Sequence, residues 1–272
     1  MSVETYHTPS RLLDSRVRVC LVGAGGTGSE MLDGLVKLHR AIVHLGHPGG
    51  LHVTLYDDDT VSQSNTVRQR YFEGDEGQNK ALLSIHRINM FYGLDWTAKA
   101  ERFGAGDLSN NQFDLLITCV DLARVRSEIG RRGREKHARN LLWLDTGNGR
   151  TDGQIVLGDY AHVAVGKFRL PNVVDLFPEL LDDWAVVGLD ADDEPSCSVE
   201  AALDKQDLFV NRTIATAACQ MLYDLLRKGK LDYHGAFVNV ARATTAPLRI
   251  DRNVWAAMGY AEQGKSESME VA

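Results

Sequence analysis

The sequence predicts an α/β protein with a Rossmann-like, mostly parallel sheet flanked by helices, late strands and a long crossover loop. Strand-like apolar runs alternate with helical patterns through the first half of the 272-residue chain, which is typical of a parallel sheet covered by helices. A glycine-rich turn, GAGGTGS, joins the first predicted strand to the first predicted helix. The composition, 44% hydrophobic and 25% charged, is that of an ordinary globular protein.

The elements of the first half follow from apolar runs and helical spacing. Residues 16–22 predict the first strand, and residues 29–45 predict a helix with apolar side chains every three or four positions. Residues 51–56 predict a second strand, which ends at three consecutive aspartates. An irregular polar loop over 62–77 then precedes a helix over 78–91.

The remaining elements follow from the same signals. In order, they are a buried strand over 113–120, a basic helix over 122–138, short strands over 141–144 and 154–157, an amphipathic helix over 206–226 and late strands over 236–240 and 247–250. Between 168 and 198 the periodicity fails, and three prolines and a dense acidic run occur. We therefore expect a long crossover loop in that stretch.

Charge and cysteine content exclude several classes of protein. The net charge of −7 argues against a general nucleic-acid-binding surface. The four cysteines form no CxxC pair, which excludes a four-cysteine zinc site and fits a reducing cytosol. No apolar run reaches the length of a membrane span, and the N-terminus has no signal-peptide core. We expect a cytoplasmic protein that binds neither nucleic acid nor a membrane.

The glycine-rich turn is a candidate phosphate-binding loop. Gly23, Gly25 and Gly28 satisfy the pattern GxGxxG, and Gly26 lies inside it. Such glycines let the backbone approach a phosphate, and the helix N-terminus offers free N–H groups. An NAD site would place an acid about 20 residues further on, whereas the first strand-end acid, Asp57, is 34 positions after Gly23. The turn alone leaves NAD, another nucleotide or an empty turn open.

The segment after the second strand favours ATP. Residues 57–70 bring carboxylates, amides and guanidinium groups into one loop. Arg68 and Lys80 supply positive charge that suits a triphosphate. Asp121 ends another predicted parallel strand and is expected at the same carboxyl edge, where an acid can hold Mg²⁺ on the phosphates. The sequence therefore predicts ATP and Mg²⁺ as cofactors.

These segments resemble a known family. GAGGTGS, DDDTV, SNTVRQ and GQNK occur in order between Gly23 and Lys80. They are similar to the GxGGxGS, DxDxV, SNxxRQ and GxxK blocks of the ThiF/MoeB/HesA family and of the adenylation domains of ubiquitin-activating enzymes. The TCVD block matches the family's metal-binding acid at Asp121, although Leu122 stands where an asparagine is usual. The resemblance covers residues 16–145 and returns at Cys197 and the helix that follows.

The resemblance implies ATP-dependent adenylation of a protein's C-terminal carboxylate. It also implies that Arg68, Lys80 and Asp121 are catalytic. The roles implied by matching positions are these: Gly23, Gly25, Gly26 and Gly28 lie beneath the nucleotide, Asp57 binds the ribose, Asp59 orders the loop, Ser64, Asn65 and Arg68 approach the phosphates, Gln69 completes the RQ pair, Lys80 contacts the phosphate chain and Asp121 binds Mg²⁺.

The family's second step, transfer of the acyl group to a thiolate, points to Cys197. Cys20 and Cys119 fall within predicted strands, and Cys219 falls within the apolar pattern of the late helix. Cys197 lies in the polar PSCS segment before a helix, where the family's crossover loop carries its catalytic cysteine. A helix N-terminus lowers a thiol pKa and the nearby acids raise it, so a catalytic nucleophile and a plain loop cysteine both remain open.

A narrower resemblance suggests partners. The segments HRAIVHLGHPGG, RINMFYGLDW and SCSVEAALDKQDLF look like the ThiF-type member of the PRTRC plasmid system. Such operons encode a ubiquitin-like protein, a conjugating-enzyme-like protein and a JAB-type peptidase, and the first two are the partners implied. The family also implies a homodimer, with Arg11 and Arg16 as candidates for an arginine given to the partner's site.

The chain is expected to divide into four segments. Residues 1–167 form a nucleotide-binding adenylation domain, and residues 168–204 form a crossover or lid loop that carries Cys197. Residues 205–264 form a helix and strands that complete the same domain, and residues 265–272 form a disordered tail. The function expected is activation of a ubiquitin-like protein, ending in a cysteine thioester. Adenylation of a sulfur-carrier protein or a tRNA base is the alternative, which the lack of zinc cysteines disfavours. An NAD-dependent oxidoreductase or a non-catalytic adaptor agrees less well with the SNxxRQ and GxxK blocks.

Overall fold

The strands of the computed structural model form one large sheet and one small ribbon. The structure describes residues 4–104, 106–108, 112–135, 140–161, 168–190 and 206–260. Numbered along the chain, the strands are β1 Tyr6–His7, β2 Val17–Val22, β3 Leu51–Tyr56, β4 Thr97–Lys99, β5 Leu115–Thr118, β6 Leu142–Asn148, β7 Asp152–Asp159, β8 Lys230–Leu231, β9 Tyr233–Asn239 and β10 Thr244–Arg249.

Helices connect most of these strands. They are α1 Arg11–Asp14, α2 Gly26–His44, α3 Asn65–Arg68, α4 Lys80–Tyr92, α5 Ala123–Glu135, α6 Val173–Leu176, α7 Asp183–Asp190, α8 Val210–Lys228 and α9 Arg252–Ala257, with 3-10 turns at Glu73–Asp75 and Pro178–Leu181. Within the described ranges, no helix has the length and apolarity needed to span a bilayer.

The large sheet is parallel on one side and antiparallel on the other. Its order is β10–β9–β7–β6–β5–β2–β3–β4, and the ribbon pairs β1 with β8. β4, β3, β2, β5 and β6 are parallel, whereas β7, β9 and β10 are antiparallel to their neighbours. Right-handed crossovers place α2 and α4 on one face and α5 on the other. α8 packs along α2, while α5 packs against α6 and α7.

The predicted fold class is confirmed, and the long apolar elements lie where the sequence places them. β3 has the predicted bounds, and α2, α4 and α8 differ from their predictions by a few residues at each end. In its described part, 168–190, the expected crossover segment contains regular structure that was not predicted: α6, a 3-10 turn and α7 occupy 173–190. Helices of four to eight residues are too short to show a helical period.

Part of the predicted crossover segment belongs to the core. Leu170, Val173 and Val174 are buried, and Asn172 and Asp175 form a capping box at the start of α6. Residues 191–204, with Cys197, and the tail 265–272 lie outside the described residues. The division of the chain into segments therefore stays a prediction.

Candidate active site

Parallel strands end together at one edge of the sheet. Val22 pairs in register with Tyr56 and with Thr118, and Thr118 pairs with Asp145. The residues that follow β2, β3 and β5 therefore meet at this carboxyl edge. β2 and β5 are neighbours in the sheet. The chain continues from β2 to β3 on one side and from β5 to β6 on the other, and α/β proteins bind ligands in the crevice that opens between two such strands. The glycine turn, residues 23–28, lies at this crevice.

Two glycines of the turn are required by close approaches of the backbone. Gly23 has a φ of +93°, and a Cβ atom there would lie 2.5 Å from the Cys119 carbonyl oxygen. A Cβ atom on Gly28 would lie 1.9 Å from the carbonyl oxygen of Gly23. Around Gly25, in contrast, a Cβ atom would meet nothing within 4 Å. The turn is therefore packed tightly on its protein side and open at Gly25, just before α2 begins.

Asp57 joins the glycine turn to the end of β3. Its Oδ2 accepts a hydrogen bond from the Ala24 N–H at 2.6 Å, and its Oδ1 accepts one from the Asp59 N–H at 2.9 Å. Burial raises the pKa of Asp57, and the Ala24 N–H and Lys80 oppose that rise. The Tyr71 hydroxyl donates to the Ala24 carbonyl at 2.7 Å. Hydrogen bonds thus hold the turn on both sides of Ala24.

Lys80 places a buried ammonium group beside the aspartates. Its Nζ lies 3.1 Å from Asp59 Oδ2, and the Lys80 side chain is 8% exposed whereas that of Asp59 is 68% exposed. Asn79 fixes this arrangement, because its Nδ2 donates to the carbonyls of Asp57 and Asp59 and its Oδ1 caps α4 at Leu82. Asn79 was not predicted as a site residue, although an asparagine before an apolar helix is an N-cap signal.

The loop after the aspartates carries an unsatisfied acceptor. Ser62 N–H donates to Asn65 Oδ1 at 3.0 Å, and the Ser62 and Ser64 hydroxyls lie 3.1 Å apart. Arg68 is the last residue of α3, and its contact with a phosphate stays a prediction. Within the described part of the chain, the buried Gln69 Oε1 accepts no hydrogen bond. An unsatisfied buried acceptor of this kind costs about 1–3 kcal/mol.

Asp121 follows β5, and Asp145 lies within the neighbouring β6, in different surroundings. Asp145 is 1% exposed and accepts hydrogen bonds from Arg126 Nε at 3.0 and 3.1 Å and from Thr118 Oγ1 at 2.6 Å. Arg126 also donates to the main-chain carbonyls of Asp121 and Thr146. Asp145 is therefore a buried structural anion, whereas Asp121 is exposed and can offer a hard oxygen ligand to a cation.

The aspartates at the tip of β3 are a second group of oxygen ligands. One carboxylate oxygen each from Asp57, Asp58 and Asp59 lies within 4.8 Å of the others. Together with Asp121, they give the edge the oxygen donors that Mg²⁺ prefers. The start of α2 and the Lys80 ammonium suit phosphate oxygens. The residues present thus fit a magnesium-bound nucleoside triphosphate.

A polar cluster that the sequence did not reveal supports the turn from α8. The buried Asn211 accepts hydrogen bonds from Thr27 Oγ1 at 2.8 Å and from Asn148 Nδ2 at 2.9 Å, and donates to Gln206 Oε1 at 2.6 Å. Thr27 and Asn211 are 184 positions apart in the sequence. A polar residue in the first turn of a helix was the only available signal, and it indicates no particular partner.

A cavity of about 560 Å³ opens beside this cluster. It lies between the start of α8 and the β9–β10 hairpin, at the same edge, because the last residue of β9 pairs with the first of β7. Its lining is neutral apart from one carboxylate and consists of Asp207, Leu208, Phe209, Thr213, Val238, Asn239, Val240, Ala241, Ala243, Thr244 and Thr245. Such walls suit an extended, uncharged segment of a partner.

The candidate arginines for a partner's site lie elsewhere in this chain. Arg16 forms an ion pair with Asp95, and Arg11 donates to the carbonyl of Asn140, both at the amino edge of the parallel strands. Arg126, which donates to the Asp121 carbonyl and pairs with Asp145, is an arginine of this edge that was not predicted from the sequence. The idea that Arg11 or Arg16 serves a second subunit stays a prediction.

The described cysteines are poor nucleophiles. Cys20 and Cys119 are buried, and Cys219 packs against Met31. Burial raises the pKa of the Cys119 and Cys219 thiols to about 12 and also raises that of Cys20. Cys197 lies outside the described residues, so its role as a nucleophile stays a prediction.

Solved structures share this fold. The crystal structure of SeMet PaaA matches with a TM-score of 0.56 at 14% identity, over 88% of this chain and 65% of that chain. The crystal structure of E. coli MccB matches with a TM-score of 0.57 at 15% identity, over 88% of this chain and 63% of that chain. That of E. coli MccB with ATP matches with a TM-score of 0.55 at 14% identity, over 86% and 63%. This chain thus spans less than two thirds of the length of those proteins.

Sequence comparison adds the family. No curated protein matches this sequence. The sequence model of the ThiF family matches residues 8–247, a range that includes the glycine turn, the three aspartates, Lys80 and Asp121. This chain belongs to the ThiF family.

Proposed function

We propose that this chain is an ATP-dependent activating enzyme that adenylates the C-terminal carboxylate of a ubiquitin-like protein. The observation that carries the proposal is the convergence of the glycine turn, Asp57 and the buried Lys80 at the carboxyl edge of the parallel strands. A largely uncharged cavity opens further along this edge, between the start of α8 and the β9–β10 hairpin. The turn and Lys80 suit a phosphate chain, and the cavity suits the uncharged tail that would bring a carboxylate to it.

The first step would be attack of the modifier's terminal carboxylate on the α-phosphorus of ATP. A bond forms between a carboxylate oxygen and the α-phosphorus, and the bond from that phosphorus to the bridging oxygen breaks, so pyrophosphate leaves. A carboxylate is a weak nucleophile, so the protein contributes mainly alignment and charge neutralisation. Lys80, Arg68 and the N–H groups at the start of α2 would supply these, and Asp121 would hold Mg²⁺, which neutralises phosphate charge when bound.

The pairing of Lys80 with Asp59 suggests how phosphate binding is made favourable. Asp59 is exposed and regains water when it leaves the ammonium, whereas the Lys80 side chain is buried and stays in place. A phosphate oxygen with greater negative charge can therefore replace Asp59 at low cost. Asn79 keeps the backbone of both aspartates fixed during this exchange.

The second step would transfer the acyl group to Cys197. The thiolate attacks the carbonyl carbon of the acyl adenylate, a thioester bond forms, and AMP leaves with the electrons of the broken carbon–oxygen bond. A conjugating-enzyme-like protein would then receive the acyl group, as the resemblance to the PRTRC system implies. A homodimer is part of the same proposal.

ATP–pyrophosphate exchange tests the first step. The chain is incubated with labelled pyrophosphate, ATP and Mg²⁺, with and without a ubiquitin-like protein from a neighbouring gene. Exchange is expected to require the modifier and to disappear when its C-terminal residue is removed. Lys80→Ala should reduce exchange at least 100-fold, while Lys228→Ala, which also loses a lysine–aspartate pair but at the far end of α8, should not.

Other outcomes would redirect the assignment. Exchange stimulated by a tRNA or by a sulfur-carrier protein would support the alternative acceptors. Tight NADH binding without ATP–pyrophosphate exchange would refute the proposal. For the second step, a modifier thioester that still forms in Cys197→Ala would show that this cysteine is not the acceptor.

A further inference from the structure

Asn211 contacts the glycine turn from the protein side. It is the second residue of α8, and its side chain is buried. A Cβ atom on Gly26 would lie 2.3 Å from Asn211 Nδ2 and 2.8 Å from Asn211 Cγ. The amide of Asn211 therefore rests on the face of Gly26 where any other residue would carry a side chain. This contact requires a glycine at position 26, whether or not a ligand binds the other face of the turn.

The hydrogen bonds of Asn211 connect separate parts of the active edge. Its Oδ1 accepts from Thr27 in the first turn of α2 and from Asn148 at the end of β6. Its Nδ2 donates to Gln206, which precedes α8. Both lone pairs of the amide oxygen are thus used, and this fixes the orientation of the amide. Asn211 therefore links the beginnings of two long packed helices to a strand end.

We propose that Asn211 is a positioning residue that holds the glycine turn in the conformation that binds the phosphates. This inference rests on the proposed function. Asp57 and Tyr71 hold Ala24 from the opposite side, through its N–H and its carbonyl. Without Asn211, Gly26 and Thr27 would have no comparable polar support from α8, and the N–H groups at the start of α2 would sample more orientations.

Two measurements test this inference. The first is the dissociation constant for ATP with Mg²⁺, measured by calorimetry on the full chain. Asn211→Leu should weaken binding about tenfold, because it removes three hydrogen bonds and leaves Thr27 and Asn148 without their acceptor. Gln220→Ala is the matched control, since it removes a carboxamide of the same helix whose partner is Asp224 on that helix. Its affinity should equal that of the unmodified chain.

The second measurement needs no nucleotide. Amide hydrogen exchange at Ser29, whose N–H donates to the Gly25 carbonyl at 2.9 Å in the first turn of α2, should accelerate at least fivefold in Asn211→Leu and stay unchanged in Gln220→Ala. Thr27→Val should act in the same direction, and the double variant should be no worse than Asn211→Leu, because both remove one shared hydrogen bond.

The outcomes separate this inference from the proposed function. If the unmodified chain binds no ATP but hydrogen exchange at the Ser29 amide accelerates in Asn211→Leu, the nucleotide assignment fails and the positioning role stands. If a folded Asn211→Leu binds ATP with unchanged affinity, or hydrogen exchange at the Ser29 amide is unchanged, the positioning role is refuted. Should Asn211→Leu not fold, Asn211→Asp and Thr27→Val replace it, with the same two measurements and the same decisive results.

Discussion

Removal of the buried Arg126 guanidinium should destabilise the fold far more than removal of an exposed arginine. The side chains of Arg126 and Asp145 are 9% and 1% exposed, and their atoms approach to 3.0 Å. Arg126→Met leaves the Asp145 carboxylate with Thr118 Oγ1 as its neighbour at 2.6 Å. The same substitution removes the donors to the carbonyls of Asp121 and Thr146. A buried charge and several main-chain acceptors therefore lose their partners together.

The size of the effect follows from the burial of the pair. Removing one partner of a buried ion pair costs about 3–5 kcal/mol, because the remaining charge is left in a poorly solvated site. With an unfolding entropy of about 2.1 cal/mol/K per residue, this corresponds to a fall in Tm of roughly 5–9 °C for a chain of this length. An exposed ion pair contributes about 0.2–1 kcal/mol, and its loss should lower Tm by less than about 2 °C.

Thermal unfolding followed by circular dichroism measures this difference. The matched control is Arg16→Met, which breaks an ion pair whose side chains are 44% and 67% exposed. The double variant Arg126→Met/Asp145→Leu should recover part of the loss, because it also removes the stranded carboxylate. The reasoning is refuted if Arg126→Met and Arg16→Met lower Tm equally, or if the double variant is less stable than Arg126→Met.

Three further predictions follow from the structure. Gly28→Ala should abolish ATP binding and lower Tm, because the added methyl group would lie 1.9 Å from the carbonyl oxygen of Gly23. Calorimetry and thermal unfolding would measure the two effects, and an unchanged affinity for ATP would contradict the prediction. Burial lowers the pKa of His234 to about 4 from 6.5, so this residue's stability contribution is fully present above pH 6.5 and falls by roughly 3 kcal/mol as the pH decreases to 4. The free energy of unfolding measured in urea should decrease by this amount across the pH range, and His234→Gln should not show this decrease. Because burial raises the thiol pKa values of the three described cysteines, brief alkylation at pH 8 should leave Cys20, Cys119 and Cys219 unmodified in the folded chain, and a label on any of these three in peptide mass spectra would contradict this reasoning.

The sequence predicted the elements that carry their own periodicity or continuous apolar runs. β3 needed nothing beyond its apolar run to be placed over Leu51–Tyr56. β4 was missed because its three residues, Thr97–Lys99, form a short and largely polar edge strand. α6 and α7 were missed because their length hides a helical period. Local signals therefore placed the long elements, while short ones depend on neighbours that the sequence does not identify.

The residues of the candidate site also differ in whether local sequence could predict them. Asp57 and Lys80 could be proposed from one stretch of sequence, since the strand end, the loop and the helix start follow one another. The contact between Asn211 and Thr27 spans 184 positions, so no local pattern contains it. Arg126 and Asp145 are only 19 positions apart, but their contact depends on how α5 packs beside β6. Pairing across elements is a property of packing, which the sequence alone does not specify.

The glycine turn shows what such a motif does and does not indicate about a ligand. The missing side chains of Gly23, Gly26 and Gly28 make room for the Cys119 carbonyl, the Asn211 amide and the chain's own backbone. These three glycines are therefore explained by internal packing, and they would be needed in a turn that binds nothing. Gly25 alone faces open space. The features that favour a nucleotide are therefore the buried Lys80 cation and the open position at Gly25, where α2 begins, rather than the number of glycines.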